Sequence, residues 1–308
     1  MMKTIFLSSV AMLLSVLAAF NVQAADSTST ACLDEYAKLQ IAYFNSSGRY
    51  TVVSSEAGGL SPYLLLHHNK DNKSYSVWEY LNGENRGYAL RDGSGFDFNQ
   101  VRSVVDELNW HPTLIWDRLL DKNTELKDYV CVFTGRARVA GHKVSLLRLA
   151  PQDGLRYGYL VAKDDDTSLP VEISVLEPQG GVVSKLLSLD YQAVANLQFP
   201  LKEALFDEVE AATHHSNEAP WLELLLPRVF TLIDSGVMTF GKDRVSYQEY
   251  SDGLSSFRVY RAPKTSVLFP ALNNGTITIY RKQNALHEYA VVGDIPLRLA
   301  EFVLSKLK

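Results

Sequence analysis

The middle of the chain contains five strand-like runs in close succession, and this succession constrains the fold more than any other feature. Each run is rich in aromatic and β-branched residues, and the connections between runs are short and carry Gly, Asp or Pro. Parallel strands need a crossover of a dozen residues or more, whereas antiparallel neighbours need only a tight turn. The pattern therefore predicts an antiparallel meander rather than a parallel α/β sheet. The runs span residues 129–133, 142–149, 155–162, 170–176 and 182–194.

The run within residues 154–163 is apolar on both of its faces. Side chains alternate between the two faces of a strand, and neither set here is wholly polar. Such a sheet is either covered on both sides or curved around an apolar space, and helices packed over one face without a cavity remain an alternative. One face holds Leu155, Tyr157, Tyr159 and Val161, and the other holds Arg156, Gly158, Leu160 and Ala162.

Helices are predicted before and within the strand-rich region. Residues 33–41 have the helical spacing of an amphipathic helix with one buried face. Residues 101–120 predict one or two short helices, the second beginning at Pro112, because proline is favoured at the first helical position. The predicted buried face of the first helix consists of Leu33, Tyr36, Ala37, Gln40 and Ile41.

The strand pattern fails between residues 196 and 220, where the chain is acidic and rich in turns. Short strand-like runs resume after that segment, and an apolar-periodic helix over residues 297–307 closes the chain. We therefore expect an α+β protein with two domains joined by a linker. The predicted parts are a large domain over residues 25–200, a linker over 201–219 and a small domain over 220–308.

The first 24 residues have the features of a secretory signal peptide. Lys3 precedes an apolar run over residues 5–20, and small side chains follow at Ala24 and Ala25. The run is shorter than the roughly 20 residues that span a bilayer. We predict export with cleavage after Ala24, the alternative being an uncleaved membrane anchor. Loss of Lys3 takes the formal net charge from −5 to −6, and this acidic balance argues against a nucleic-acid partner.

Two cysteines, Cys32 and Cys131, remain in the exported chain. An oxidising compartment allows one long-range disulfide between them, but a sequence cannot show that the two Cα atoms come within bridging distance. Two buried thiols are the alternative.

No motif in the sequence carries recognisable catalytic chemistry. The seven histidines lack the spacing of metal ligands, and Asp164, Asp165 and Asp166 are consecutive in a turn, where solvated side chains are ordinary. Phosphate-binding and dinucleotide-binding glycine patterns are also missing. We therefore predict a binding protein without a metal or cofactor, not an enzyme. An exported hydrolase with an unrecognised site is the alternative.

Several motifs resemble those of the RseB/MucB family of periplasmic regulators. Within residues 133–180 the resemblance rests on a Gly-Arg strand end, an Asp-Gly turn, an Arg-Tyr strand and a Leu-Pro strand. Two later stretches, "YSDGLSSFRVYRA" and "VVGDIPLRLAEFVLSKL", resemble motifs of the family's smaller domain. One departure is Val229, where the family commonly has Gly. The four pairs are Gly135-Arg136, Asp153-Gly154, Arg156-Tyr157 and Leu169-Pro170.

The resemblance implies both a fold and a function. It implies a large domain similar to the lipoprotein-carrier fold, an unclosed antiparallel β-barrel with helices over its mouth, and a small α/β domain. It also implies that the protein binds the periplasmic region of a transmembrane anti-sigma factor and shields it from regulated proteolysis, and that lipid or lipopolysaccharide releases the shield. A periplasmic lipid or lipoprotein carrier is the alternative, and a homo-oligomer stays open.

Two sets of side chains are candidates for these roles. Aromatic residues that alternate onto an apolar sheet face could line a lipid-binding concavity, with plain core packing as the alternative. Arginine and tyrosine, which are enriched in interfaces, mark a candidate partner surface in the small domain, with a solvated strand face as the alternative. The lipid candidates are Trp78, Trp116, Tyr157 and Tyr159, and the partner candidates are Tyr250, Arg258, Tyr260 and Arg261.

Overall fold

The structure is a computed structural model that describes most of the chain after residue 28. The predicted signal peptide lies outside the described residues, as do residues 213–220 of the predicted linker. No helix in the described part is long and apolar enough to cross a bilayer. The described residues are 29–56, 59–100, 104–107, 110–212, 221, 229–240, 242–264 and 272–307.

Eleven strands of the described residues form one large antiparallel sheet. Its order is β6-β5-β4-β3-β2-β1-β11-β10-β9-β8-β7, so that β6 and β7 end the sheet and no described pairing joins them. The prediction of an unclosed antiparallel sheet is therefore confirmed. The strands are β1 (Gly48–Glu56), β2 (Gly59–Lys70), β3 (Lys73–Tyr80), β4 (Arg86–Arg91), β5 (Ser94–Asn99), β6 (Val104–Glu107), β7 (Tyr129–Val139), β8 (His142–Pro151), β9 (Gly158–Asp164), β10 (Pro170–Leu176) and β11 (Val182–Ala193).

A second antiparallel sheet and a C-terminal helix make up the smaller unit. The strand order is β12-β13-β14-β17-β16-β15. Helix α4 (Leu297–Ser305) packs its buried face against one side of this sheet, as its apolar spacing predicted. The strands are β12 (Thr231–Phe240), β13 (Asp243–Ser251), β14 (Ser256–Pro263), β15 (Leu272–Asn274), β16 (Ile277–Gln283) and β17 (His287–Gly293).

Helix α1, residues 29–44, forms where it was predicted and buries Tyr36 and Gln40 of the predicted face, but not the other three residues of that face. Leu33 and Ile41 are exposed, whereas Cys32 is buried. Cys32 forms a disulfide with Cys131 of β7, which settles the open alternative in favour of the bridge. The hydroxyl of Tyr36 also donates to the carbonyl oxygen of Leu119 at 2.5 Å. These two long-range links determine which face of the helix is buried. The local spacing of apolar residues contains no information about them.

Helix α2 (Leu114–Leu120) follows Pro112 as predicted. The first helix predicted in that segment is wrong, because residues 104–107 form strand β6 and pair with β5. Val104 and Val105 are β-branched residues that favour a strand once a neighbouring edge is available to pair with.

Both faces of the large sheet bury apolar side chains, as the sequence of β9 predicted. Tyr159 and Val161 lie in the inner core with residues of α1 and α2. Ala162, on the outer face, packs with Val144 and Val171. The large sheet is therefore covered by packed side chains on both of its faces.

Helix α3 (Glu203–Ala212) covers part of the outer face and lies at the start of the predicted linker. The Phe206 ring lies 5.1 Å from the ring of Phe96 and 5.8 Å from that of Tyr75. The guanidinium of Arg91 donates to Asp207 at 2.7 Å. The helix therefore packs on the large sheet, while the domain boundaries themselves stay predictions.

Candidate functional site

Two Asp-Gly-Leu turns, one from each sheet, face each other. Residues 153–155 connect β8 to β9, and residues 252–254 connect β13 to β14. The glycines have φ angles of +64° at Gly154 and +94° at Gly253, a conformation that glycine adopts without steric cost. In each turn the aspartate accepts hydrogen bonds from the backbone N–H groups two and three residues later, at 2.7–3.1 Å. The two turns and Arg156 are called the joint below.

One buried arginine lies between the two aspartates of the joint. Nη1 of Arg156 donates to Asp252 at 2.9 Å, and Nε donates to Asp153 at 2.5 Å. The side chains of Arg156 and Asp252 are 1% and 0% exposed. Further donors of the guanidinium reach the carbonyl oxygens of Lys127 and Asp128. Removal of one partner from such a buried charge strongly destabilises the fold, because the charge that remains is still buried but no longer fully paired.

Each leucine of the joint packs with the core of the opposite unit. Leu254, which belongs to the smaller sheet, is 1% exposed and lies in the core of the large sheet. Leu155, which belongs to the large sheet, packs against the core of the smaller sheet. The two cores are thus linked, because one contains a leucine of the other unit and the second is packed against by one.

A second ion pair holds the joint from the side of α2. Arg118 pairs with Asp294 and donates from Nη1 to the carbonyl oxygen of Leu254 at 3.0 Å. Asp294 also accepts from the backbone N–H of Ser256 at 2.6 Å. Burial raises the pKa of Asp294 although the charge of Arg118 opposes the shift. Separation of the units would therefore leave two partly buried charges, Arg118 and Asp294, without each other.

Hydrogen bonds at the rim complete this interface. Glu56 of β1 accepts from the backbone N–H of Thr276 at 2.7 Å and from its hydroxyl at 3.1 Å. Burial raises the pKa of this glutamate. The indole N–H of Trp110 donates to the hydroxyl of Ser256 at 2.9 Å. Polar contacts thus surround the exchanged leucines.

The four lipid candidates lie together in the inner core of the large sheet, where they are 0–1% exposed. The indole N–H of Trp78 donates to Asp117 at 2.7 Å, and the ring of Trp116 packs edge-on to that of Trp78. The hydroxyls of Tyr157 and Tyr159 reach Thr276 and Ser255 of the smaller unit. The lipid role stays a prediction; these residues share their core with Leu254.

The four partner candidates have different surroundings. Tyr250 is 6% exposed and stacks on Phe257, so its place in the core leaves little surface for a partner. The guanidinium of Arg261 lies 4.4 Å from the ring of Trp221, and Tyr260 is half-buried. The partner role stays a prediction. Of the four candidate residues, Arg258, Tyr260 and Arg261 are the ones that solvent reaches.

Arg258 is held more firmly than a solvated strand residue. Its Nε donates to Glu249 at 2.6 Å, and the guanidinium lies 5.0 Å from the ring of Tyr247 and 5.8 Å from that of Trp110. Burial lowers the pKa of Arg258, but the charge and hydrogen bond of Glu249 outweigh it and leave the pKa raised. The residue therefore stabilises the sheet as well as presenting a charge.

The residues that hold the joint were not predicted from the sequence; they include Asp252, Leu254, Arg118 and Asp294. One signal was available: the tripeptide Asp-Gly-Leu occurs at residues 153–155 and again at 252–254. A turn motif alone does not show which core its leucine enters. Among the described residues, no group of three His, Cys, Asp or Glu side chains could hold a metal ion.

Comparison with known proteins agrees with this two-part architecture. The model of the MucB/RseB N-terminal domain matches residues 36–207, and that of the MucB/RseB C-terminal domain matches residues 215–308. The chain belongs to the MucB/RseB family. Both of the family's domains therefore meet at the joint, one contributing each Asp-Gly-Leu turn.

Similar proteins carry regulatory names. The Sigma-E factor regulatory protein RseB of Haemophilus influenzae is 24% identical over 100% of this chain and 99% of its own length. The Sigma factor AlgU regulatory protein MucB of Pseudomonas aeruginosa is 26% identical over 56% of this chain and 58% of its own length.

A solved structure shares the fold. MucB, crystallised in complex with MucA(peri), superposes with a TM-score of 0.65 and 22% sequence identity, covering 89% of this chain and 96% of that chain. The likeness therefore extends over both sheets.

Proposed function

We propose that this MucB/RseB family member is a periplasmic regulator that binds the periplasmic region of a transmembrane anti-sigma factor and shields it from regulated proteolysis. The observation that carries the proposal is the match of both family domains across nearly the whole described chain. The name of the Haemophilus relative and the complex of MucB with MucA(peri) support it.

We further propose that envelope lipid or lipopolysaccharide acts on the regulator through the joint. Leu254 lies in the same core as Trp78, Trp116, Tyr157 and Tyr159. An acyl chain that entered this core would compete with Leu254 for the apolar space, because a packed interior has no room for both. Lipid would then favour an arrangement in which the joint is open. The size of this shift is set by the difference between the lipid's affinities for the open and the closed arrangement.

The regulatory proposal is tested with the exported chain, residues 25–308, and the periplasmic fragment of the anti-sigma factor from the same genome. We expect an immobilised chain to retain the fragment and to slow its cleavage by the protease that makes the first regulated cut. Heat-unfolded chain serves as the control for unspecific retention. A chain that neither retains nor protects the fragment would contradict the proposal.

Arg261→Gln tests the predicted partner surface better than a change at Arg258, whose pairing with Glu249 makes loss of stability the expected side effect. We expect Arg261→Gln to weaken capture of the fragment by about tenfold, the effect of one interfacial charge. The variant should lower the free energy of unfolding by no more than about 1 kcal/mol, which is the contribution of its contact with the Trp221 ring. Arg244→Gln, in the same sheet and exposed, is the matched control. Titration calorimetry measures the affinity of each variant for the fragment. Equal affinities would show that Arg261 does not belong to the partner surface.

A further inference from the structure

The disulfide joins the start of helix α1 to an end strand of the large sheet. Cys32 lies near the first residue of α1, and Cys131 lies in β7, 99 residues further along the chain. β7 ends the sheet, so one of its edges pairs with no other strand of the described residues. The bridge therefore links two parts of the fold that no described strand pairing connects.

Helix α1 is anchored at its other end by a distant strand. The carbonyl oxygen of Tyr43 accepts from His67 of β2 at 2.9 Å. The next carbonyl oxygen of the helix accepts from Asn69 of the same strand at 3.1 Å. Five strands separate β2 from β7 in the sheet. The helix therefore spans the inner core from β2 to β7, and the bridge fixes the end that lies at β7.

The second half of the helix has contacts that do not depend on the bridge. Leu39, Gln40 and Tyr43 are buried. The side-chain amide of Gln40 donates to the carbonyl oxygens of Leu119 and Asp121 at the end of α2, at 3.3 Å and 2.7 Å. Residues 37–44 would therefore stay packed on α2 and β2 in a chain without the bridge.

The first two turns of the helix depend on the bridge much more. Among residues 29–35, all of which the structure describes, Cys32 alone is buried. Glu35 pairs with Lys163 of β9 at 3.1 Å, but it also pairs with the exposed Lys38 at 2.6 Å. A segment with so little buried surface opens at a low free-energy cost. The bridge is therefore the main link that holds residues 29–35 to the sheet.

The bridge lies next to one of the lipid candidates. Cys131 of β7 is directly opposite Leu149 of β8, and Leu149 is directly opposite Tyr159 of β9. These three residues are buried in the inner core. The hydroxyl of Tyr159 reaches Ser255 at 3.3 Å, next to the joint. Movement of residues 29–35 away from the sheet would therefore uncover the inner core close to the joint.

Neither sulfur atom is accessible in the folded chain, because Cys32 is 0% and Cys131 is 1% exposed. Thiol–disulfide exchange requires a thiolate to reach a sulfur atom. The bridge therefore forms before folding has buried the cysteines, by exchange with an exported oxidoreductase that carries a disulfide. Each cysteine gives up one proton and one electron as the Sγ–Sγ bond forms, and the oxidoreductase disulfide becomes a dithiol.

We propose that the bridge is a redox switch, which records whether an oxidant was available when the exported chain folded. With the oxidant, the bridge holds residues 29–35 to the sheet. Without it, Cys32 and Cys131 stay thiols, residues 29–35 leave the sheet and the inner core opens beside Tyr159. Lipid then enters the core more readily. That last step rests on the proposed function, whereas the movement of the helix does not.

Hydrogen exchange measured by mass spectrometry tests the movement in residues 25–308. The unbridged samples are the double variant Cys32→Ala with Cys131→Ala, and the parent chain folded with a reducing dithiol. We expect amide exchange in residues 29–35 to become about tenfold faster relative to exchange in residues 37–44. An unchanged ratio would overturn the switch. Failure of both unbridged samples to fold would overturn it as well, because the switch requires a folded thiol form.

Val171→Ala is the matched control for a loss of stability. Val171 is buried on the outer face with Val144 and Ala162, so the variant lowers the melting midpoint but keeps the bridge. We expect the exchange ratio of this variant to equal that of the parent chain. A rise equal to that of the unbridged samples would show that the start of α1 opens after any loss of stability, and the bridge would not be a switch.

Treatment of the folded, bridged chain with dithiothreitol tests when the bridge is set. We expect the bridge to survive in the absence of denaturant, as measured by labelling of free thiols with a maleimide. Rapid reduction of the folded chain would contradict the claim that folding fixes the oxidation state.

A fluorescent fatty acid tests the consequence for lipid. We expect the unbridged samples to bind it about tenfold more tightly than the bridged parent chain does, because the open arrangement is more populated. Val171→Ala should bind it as the parent chain does. Equal affinities would overturn the link between the switch and lipid, and the exchange ratio would still decide whether the helix moves.

Discussion

Replacement of Asp252 by asparagine is expected to lower the free energy of unfolding by about 3 kcal/mol and to loosen the contact between the two sheets. Asparagine keeps an oxygen that can accept from the N–H groups of Leu254 and Ser255, so the turn itself is preserved. What the variant loses is the negative charge that faces Arg156 across the joint. The guanidinium stays buried with one carboxylate fewer.

Denaturant titration measures the stability, and small-angle scattering measures whether the two units separate. Asp153→Asn is the matched control, because Asp153 bonds the same guanidinium and caps an equivalent turn within the large sheet. We expect a loss of stability in both variants but an increase in the radius of gyration only for Asp252→Asn. If the two variants scattered alike, the ion pair across the joint would not be what holds the units together.

The same variant bears on the proposed response to lipid. Loss of the Arg156–Asp252 pair should favour the open arrangement of the joint and so make the inner core more accessible. We therefore expect Asp252→Asn to bind a fluorescent fatty acid more tightly than the parent chain does, and Asp153→Asn to bind it as the parent chain does. Equal affinities of the parent chain and both variants for the fatty acid would contradict competition between lipid and Leu254.

Acidification is expected to destabilise the protein strongly through His67. This residue is 0% exposed, its ring stacks 3.9 Å from that of Tyr43, and its Nε2 lies 2.9 Å from the Tyr43 carbonyl oxygen. A carbonyl oxygen can only accept, so Nε2 carries the proton of the neutral ring. Burial lowers the pKa of His67 from 6.5 to about 3.

The direction of the pH effect follows from proton uptake. Between pH 6.5 and 3 the unfolded chain protonates His67 and the folded chain does not, so stability is full above pH 6.5 and falls as the pH is lowered. The shift corresponds to about 5 kcal/mol over the whole interval and about 3 kcal/mol at pH 4.5. Asp117 acts in the opposite sense, because its raised pKa makes the folded chain bind the extra proton below about pH 6.

His67→Gln isolates the histidine from that opposing carboxylate. Glutamine retains an amide donor for the Tyr43 carbonyl oxygen but does not titrate. We expect the parent chain to lose about 3 kcal/mol more than the variant does between pH 7 and pH 4.5, as measured by urea unfolding at both pH values. His287→Gln, at a partly exposed position, should behave as the parent does. Parallel pH profiles of parent and His67→Gln would show that the buried ring is not the acid-sensitive group.

The strands of the meander could be predicted from sequence because their signals are local. Alternation with a period of two and turn residues such as Asp153-Gly154 act over a few neighbouring residues, and the structure keeps nearly all of these strands. The errors occurred where a distant partner decides the outcome. Residues 104–107 became a strand because the edge of β5 was free to pair with them. Helix α1 buries Cys32 in place of Leu33 because of the bridge between Cys32 and Cys131.

The joint shows the same difference between local sequence signals and long-range contacts. Sequence by itself determined that Asp153-Gly154 forms a turn before a strand and that aromatic residues alternate onto an apolar sheet face. Only the tertiary structure decided that Leu254 enters the core of the other sheet and that one arginine serves both aspartates. The physical reason is that turn and strand preferences depend on backbone sterics within a few residues, whereas burial and charge pairing depend on groups that folding brings together from distant parts of the chain.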